Sequence, residues 1–373
     1  MSISGQAFIR RFEQYCPLWL AEEGDPVGLH IGSLDKPIAK VMMTLDVRPA
    51  VVQEAIEKKV DLIIAKHPPI FRPIKRLLAT DPQQKMYLEL AKHDIAVYAA
   101  HTNMDIIEDG LNDWFCEVLD IDVENYLLKT HEVSLQKLIV FVPRESQAAL
   151  RQALADSGAG TLGNYQATSF TSEGVGRFTP MDDAQPTIGE IGQAETVAEV
   201  KIEVVFPETK QKEVLAAMVA AHPYEEIAYD LVNLANQKVT YGIGRVGSLA
   251  EPIAFEEFVK QVKQVFALDG VKVILPNSGI EKVQKIAICG GSGSTFFMEA
   301  LKQQADVYLT GDVTYHTAHD MQETPMAVID PGHHIEVLCI PRFIEKMNSW
   351  KVEEGWDVEF IAATTDTNPF QYR

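Results

Sequence analysis

The chain has 373 residues, 46% hydrophobic and 23% charged, a balance that excludes a disordered chain; at about 150 residues per domain it predicts two or three domains. Lys+Arg 33 against Asp+Glu 53 gives a formal net charge of −20, the wrong sign for gripping a phosphate backbone, so nucleic acid is not an expected partner. No apolar run reaches the roughly 18 residues that cross a bilayer and no secretory signal pattern opens the chain, so a soluble cytoplasmic protein without a membrane partner is expected.

Apolar runs at 38–46, 61–66 and 95–100 read as buried strands. They alternate with helices over 49–59, 82–93 and 108–119, the first two opening on Pro49 and Pro82. The middle of the chain changes style. Strands over 137–143, 165–171, 199–206 and 227–234 alternate with helices over 145–156 and 208–221, in the order β-α-β-β-α-β of a ferredoxin-like unit. A Gly/Pro/Asp-rich stretch at 172–192 reads as loop. The first grammar then returns: strands over 283–289, 306–310, 326–330 and 357–362, helices over 295–303, 314–322 and 334–350. The expected architecture is a discontinuous three-layer α/β domain, 1–127 with 237–373, whose sheet is mostly parallel. The ferredoxin-like segment 128–236 interrupts it.

Cys16, Cys116, Cys289 and Cys339 are far apart and form no CxxC pair. A thiolate zinc knuckle and a secreted disulfide framework are therefore excluded, and any metal must be held by imidazole and carboxylate. Such groups follow four strands: His67 after Lys66, His101 and Asp105 after Ala100, Asp312 after Thr310, and His333 and Glu336 after Asp330. In a parallel sheet those C-terminal ends share the edge where α/β proteins bind ligands. His101 and Asp105 are four apart, His333 and Glu336 three apart, so each pair shares a helical face. Imidazole with carboxylate suits zinc, iron, manganese or nickel better than magnesium or calcium. There is no HExxH.

A lone histidine at a strand end is commonly a structural hydrogen-bonder; the joint pattern carries the inference. His93 reads as a cation at a helix C-terminus, and His30, His131 and His222 have no partner at ligand spacing. Asp312 and His316, with His319 or Asp320, read either as substrate contacts near the metal or as a solvated polar face. The loop Gly290-Gly291-Ser292-Gly293-Ser294 reads either as a phosphate cradle at a helix N-terminus or as a tight turn capped by Ser294. The Gly-bearing stretch 25–32 has no purpose legible from physics alone.

Taken together, GLHIG at 28–32, AKHPPIF at 65–71, AAHTNMD at 99–105, CGGSGS at 289–294, LTGDVTYHTAHD at 309–320 and DPGHHIE at 330–336 resemble the Ngg-interacting-factor-three-like family, whose members are often labelled GTP cyclohydrolase I type 2 homologs. The middle resembles the CutA/P-II-like insert of its longer bacterial members, most clearly at His222-Pro-Tyr-Glu-Glu-Ile-Ala-Tyr-Asp230. The resemblance implies two divalent metal ions per chain, zinc first and iron or another transition metal as alternatives, on His67, Asp105, His333 and Glu336 with His101 close by. It also implies a ring-shaped homohexamer with sites facing an internal cavity. Two departures stand out: the family usually carries two histidines before the proline where this chain has Lys66-His67, and Pro26 stands where Asn is common.

Two functional readings follow. One is a metal-dependent hydrolase of a nucleotide or related cyclic amide, using metal-bound hydroxide, with Glu336 or Asp105 bridging and the Gly-rich loop holding a phosphate. The other is a non-enzymatic metal-storage, metal-delivery or regulatory protein whose insert senses a small ligand. A scaffold for proteins or DNA ranks third, with the charge against DNA.

Overall fold

A computed structural model describes residues 3–371. The chain divides into two compact units, Met1–Thr130 with Tyr241–Arg373, and His131–Thr240. In chain order the elements are β1 (Ile3–Ser4), α1 (Gly5–Tyr15), β2 (Gly28–Ile31), β3 (Pro37–Ile38), β4 (Lys40–Thr44), α2 (Pro49–Glu57), β5 (Leu62–Ala65), α3 (Pro82–Lys92), β6 (Ala96–Ala99), α4 (Thr102–Ile106), α5 (Leu111–Val118) and β7 (Ile121–Pro143). Then follow α6 (Gln147–Asp156), β8 (Phe170–Phe178), β9 (Glu195–Pro207), α7 (Gln211–Ala221), β10 (Tyr229–Ala254), α8 (Phe255–Val265), β11 (Lys272–Ile274) and β12 (Lys282–Ile288). The chain ends with α9 (Phe297–Lys302), β13 (Val307–Leu309), α10 (Tyr315–Gln322), β14 (Ala327–Asp330), α11 (Cys339–Glu354) and β15 (Glu359–Ala362). None of the described helices is long and apolar enough to cross a membrane.

The first unit contains two parallel cores, not the one mostly parallel sheet expected. One sheet has the order β15-β4-β5-β6-β2, parallel except for β2, which pairs antiparallel with β6. In the other, β12, β13 and β14 are parallel, flanked by antiparallel β11 on β14 and β10 on β12. The first sheet is apolar on both faces. Val41, Met43, Leu62, Ile64, Ala96 and Tyr98 enter the main core, while Met42, Ile63, Ala65 and Val97 pack with α2 and α3 on the opposite side. A sheet buried twice reads as a continuous apolar run, which is why its strands were legible. Pro49 and Pro82 do start α2 and α3, the latter with the Asp81 side chain accepting from Gln84 N–H at 2.9 Å.

The second unit runs β7-α6-β8-β9-α7-β10, with β9 antiparallel to both β7 and β8. One face is buried: Leu138, Val140, Val142, Val200, Ile202, Val204 and Phe206 alternate inward against Leu150 and Leu154 of α6 and Val214 and Met218 of α7. Strand β8 lies later than the expected 165–171 and takes in part of the Gly-rich stretch. Its glycines are tolerated on an outer strand that pairs with β9 alone, and the Glu199 carboxylate occupies the space a Cβ at Gly176 would need.

The end of the chain is tied to α2 by one buried carboxylate. Glu54 Oε1 accepts from Thr364 N and Oγ1, both at 2.8 Å, and from Lys58 Nζ at 2.6 Å. Its Oε2 accepts from Thr365 N at 2.9 Å and Oγ1 at 2.6 Å. Burial works against the charge, but the Lys58 ammonium and the Thr364 and Thr365 donors outweigh it and bring the carboxyl from 4.5 down to about 2. A depressed folded-state value contributes stability above pH 4.5 that is lost as the pH falls toward 2. Glu54→Gln is therefore expected to be less stable than wild type by about 2 kcal/mol at pH 6, a value reduced for solvent screening, with the two proteins converging near the low value. Urea melts across that range test this; parallel stability curves for the two proteins would refute it.

Candidate metal centre

The C-terminal ends of both parallel cores supply the site, which replaces the single sheet edge expected from the sequence. His67 follows β5 by two residues, whereas His333 and Glu336 lie in the 3-10 turn His333–Leu338 after β14. His67 Nε2 lies 2.9 Å from Glu336 Oε2 and 3.2 Å from His333 Nε2, and His333 Nε2 lies 3.3 Å from Glu336 Oε2. All three ligand atoms are within 4.8 Å of one another, a group able to hold a metal ion.

The second nitrogen of each ring is already committed. His67 Nδ1 donates to Asp46 Oδ1 at 2.8 Å, and His333 Nδ1 donates to Asp312 Oδ2 at 2.7 Å. A carboxylate on Nδ1 fixes the proton there and turns the Nε2 lone pair inward, the arrangement that orients imidazoles toward a metal. Asp312 holds its place with a left-handed backbone, φ 55°, at a non-glycine residue. Asp46 is itself held by Thr367 Oγ1 at 2.6 Å, in the segment that Glu54 anchors.

Electrostatics agree with a cation-seeking site. Glu336 is 2% exposed; burial opposes its charge, but Lys66 and the two imidazoles hold its carboxyl well below the usual range. Bonding to Glu336 raises the His333 imidazole to about 9. His67 is raised as well, its burial opposing while Asp46 and Glu336 prevail.

The other expected residues divide. Lys66 is fully buried, with Nζ 2.9 Å from Asp105 Oδ2 and 3.7 Å from Glu336 Oε1. Burial pushes the Asp105 carboxyl up, Lys66 pulling against it, and Asp105 Oδ1 has no hydrogen-bond partner. Asp105 thus sits on Lys66, not within the donor triad. His101 caps α4, its ring 5.8 Å from that of His67, with Nδ1 donating to Asp25 Oδ1 at 2.8 Å. His316 is exposed against Tyr315 and joins no part of the cluster.

The Gly-rich loop packs against the site. Gly290 N donates to Asn112 Oδ1 and Gly293 N to Thr310 Oγ1, both at 3.0 Å, so two of its amides are taken up within the fold. Ser294 begins a 3-10 turn and caps no helix with its side chain. Gly291, at φ 62°, lies where a Cβ would stand 2.5 Å from Glu336 Oε1, so the loop makes room for that carboxylate. Sequence reading missed Asp25 and Asp46, the carboxylates behind His101 and His67. The only signal was their place, Asp46 just beyond a strand and Asp25 in the unassigned Gly-bearing stretch, part of which forms β2.

A cavity of about 410 Å³ opens beside the triad, lined by Asp46, Arg48, His67, His333, His334 and Phe370 among others. Similar proteins share the whole chain. The GTP cyclohydrolase 1 type 2 homolog of Bacillus subtilis (strain 168) is 43% identical over 371 residues, 100% of this chain and 99% of that protein. Its counterpart in Listeria innocua is 42% identical over 370 residues, 99% of each. The crystal structure of a Bacillus cereus protein related to NIF3 superposes with a TM-score of 0.92 at 38% identity, covering 100% of this chain and 99% of that one. The family model Duf34/NIF3 (NGG1p interacting factor 3) matches residues 3–369, and with these full-length relatives it places the chain within that family.

Proposed function

We propose that the protein is a metal-dependent hydrolase that acts on a nucleotide or a related cyclic amide in the cavity beside His67, His333 and Glu336. The convergence of two carboxylate-backed imidazoles and one buried carboxylate within 4.8 Å carries this reading. Two imidazoles and a glutamate suit zinc, and equally a ferrous ion. Such an ion supplies Lewis acidity and a water of lowered pKa. The chain's own groups do the rest. Asp46 and Asp312 orient the two imidazoles, and His101, fixed by Asp25 with its ring 5.8 Å from that of His67, is the neighbouring group able to exchange a proton through Nε2. Arg48 offers a positive contact and His334 a hydrogen-bonding ring nitrogen for phosphate, and exposed Phe370 a face for a ring. The relatives' name, GTP cyclohydrolase 1 type 2 homolog, directs the first substrate choice to guanine nucleotides. Four free, buried cysteines suit a reducing cytoplasm.

A second reading, a metal-storage or regulatory protein with a ligand-sensing CutA/P-II-like insert, is favoured by one feature of the unit His131–Thr240. It holds a cavity of about 750 Å³ lined by Phe141, Arg177, Phe178, Met181, Lys201 and Tyr224 among others. One experiment separates the two. Metal content of the purified chain is measured, then hydrolysis of GTP and a panel of nucleotides and cyclic amides. Turnover that rises with metal content and is lost in His101→Ala is expected; bound metal with no turnover across the panel would refute the hydrolase and support the second reading.

A further inference from the structure

We infer that the ammonium of Lys66 takes the place of a second metal ion, so that this chain holds a single divalent cation on His67, His333 and Glu336. The inference rests on the metal-centre reading above and puts one ion where the resemblance implies two.

Lys66 leaves the end of β5 with its backbone N–H bonded to Thr44 O at 3.0 Å, and its side chain runs into the interior with no solvent exposure. There Nζ stands between the two buried carboxylates, 2.9 Å from Asp105 Oδ2 and 3.7 Å from Glu336 Oε1. An ion shared by those carboxylates needs their oxygens at about 2.0–2.2 Å and would collide with Nζ. A charged lysine has three donors and no lone pair, so it cannot become a ligand to that ion.

Glu336 is divided accordingly. Oε2 faces His67 and His333, while Oε1 faces Lys66. Asp105 keeps one unpartnered oxygen, Oδ1, but the donor cluster of imidazole and carboxylate does not include it. Charge points the same way. Asp105 and Glu336 carry two negative charges and Lys66 returns one, so a single divalent ion already more than offsets the negative charge that remains. A second ion would load a buried site with excess positive charge.

The test counts metal. The full chain is saturated with zinc, freed of unbound ion, and analysed by mass spectrometry for metal per chain. About one ion is expected in the wild type and about two in Lys66→His, where a neutral imidazole replaces the ammonium. X-ray absorption at the zinc edge of the wild type should lack the metal–metal distance of about 3.5–4 Å that marks paired ions. This measurement decides the matter even if Lys66→His does not fold. Two ions in the wild type, or one ion in a folded Lys66→His, would overturn the inference. A wild type holding no ion would instead overturn the metal centre itself, a distinguishable failure.

Discussion

Glu336→Gln is expected to empty the metal centre while leaving the fold intact. Glutamine keeps the shape of the side chain in its close fit against Gly291, but it removes the only anionic donor of the triad. Both imidazoles lose the carboxylate that draws them together, since Glu336 Oε2 is the shared contact of His67 and His333. Removing an outer partner of a metal ligand commonly costs 10–100-fold in affinity, and loss of the ligand itself should cost more, on the order of 100-fold or above. Competition of the protein with a chromophoric zinc chelator measures this, and circular dichroism verifies the fold. His316→Ala is the control, because that ring is exposed against Tyr315 and is not one of the triad's donors, and its affinity should match wild type. Unchanged zinc affinity in a folded Glu336→Gln would refute the assignment of the centre.

What could be read in advance follows from how each element buries its residues. Strands β4, β5 and β6 have few polar interruptions because both faces of their sheet are covered, and the groups just beyond such strands are where ligands collect. His67, His333 and Glu336 were therefore legible. That two separate cores bring them together was not, because strand-by-strand reading cannot say which strands pair. The pairing also decided the carboxylates: nothing local to Asp46 or Asp25 announces the imidazole it supports from 21 or 76 residues away. The stretches 121–134 and 237–254 received no strand because charged and polar residues recur through them, as at Glu124, Lys129 and Glu132. Helix α8 carried a usable signal, Phe255, Phe258 and Val262 at three- and four-residue spacing, and all three are buried.

Arg245→Met is expected to produce the largest loss of stability, about 3–5 kcal/mol. Arg245 is 1% exposed, yet all its N–H donors find acceptors. Nε and Nη2 grip the two oxygens of Asp113, the latter at 2.7 Å; Nη1 donates to Gly242 O at 3.0 Å and Gly244 O at 2.9 Å, and Nη2 also reaches Ile107 O at 2.9 Å. The guanidinium lies 4.8 Å from the centre of the Tyr126 ring. Methionine fills comparable volume but leaves the Asp113 carboxylate and three carbonyls without their donor. Lysine should not rescue the fold, since a single ammonium cannot reproduce a planar fork that serves a carboxylate and three carbonyls at once. The damage should also reach the metal centre. Ile107 closes α4, which carries Asp105, and Asn112 of α5 donates to Asp105 O at 2.9 Å while accepting from Gly290 N. Urea unfolding followed by tryptophan fluorescence, with Trp114 buried in α5, reads the change at its source. A midpoint within experimental error of wild type for Arg245→Met, or full stability in Arg245→Lys, would show that the fork does not hold α4 and α5 against β10.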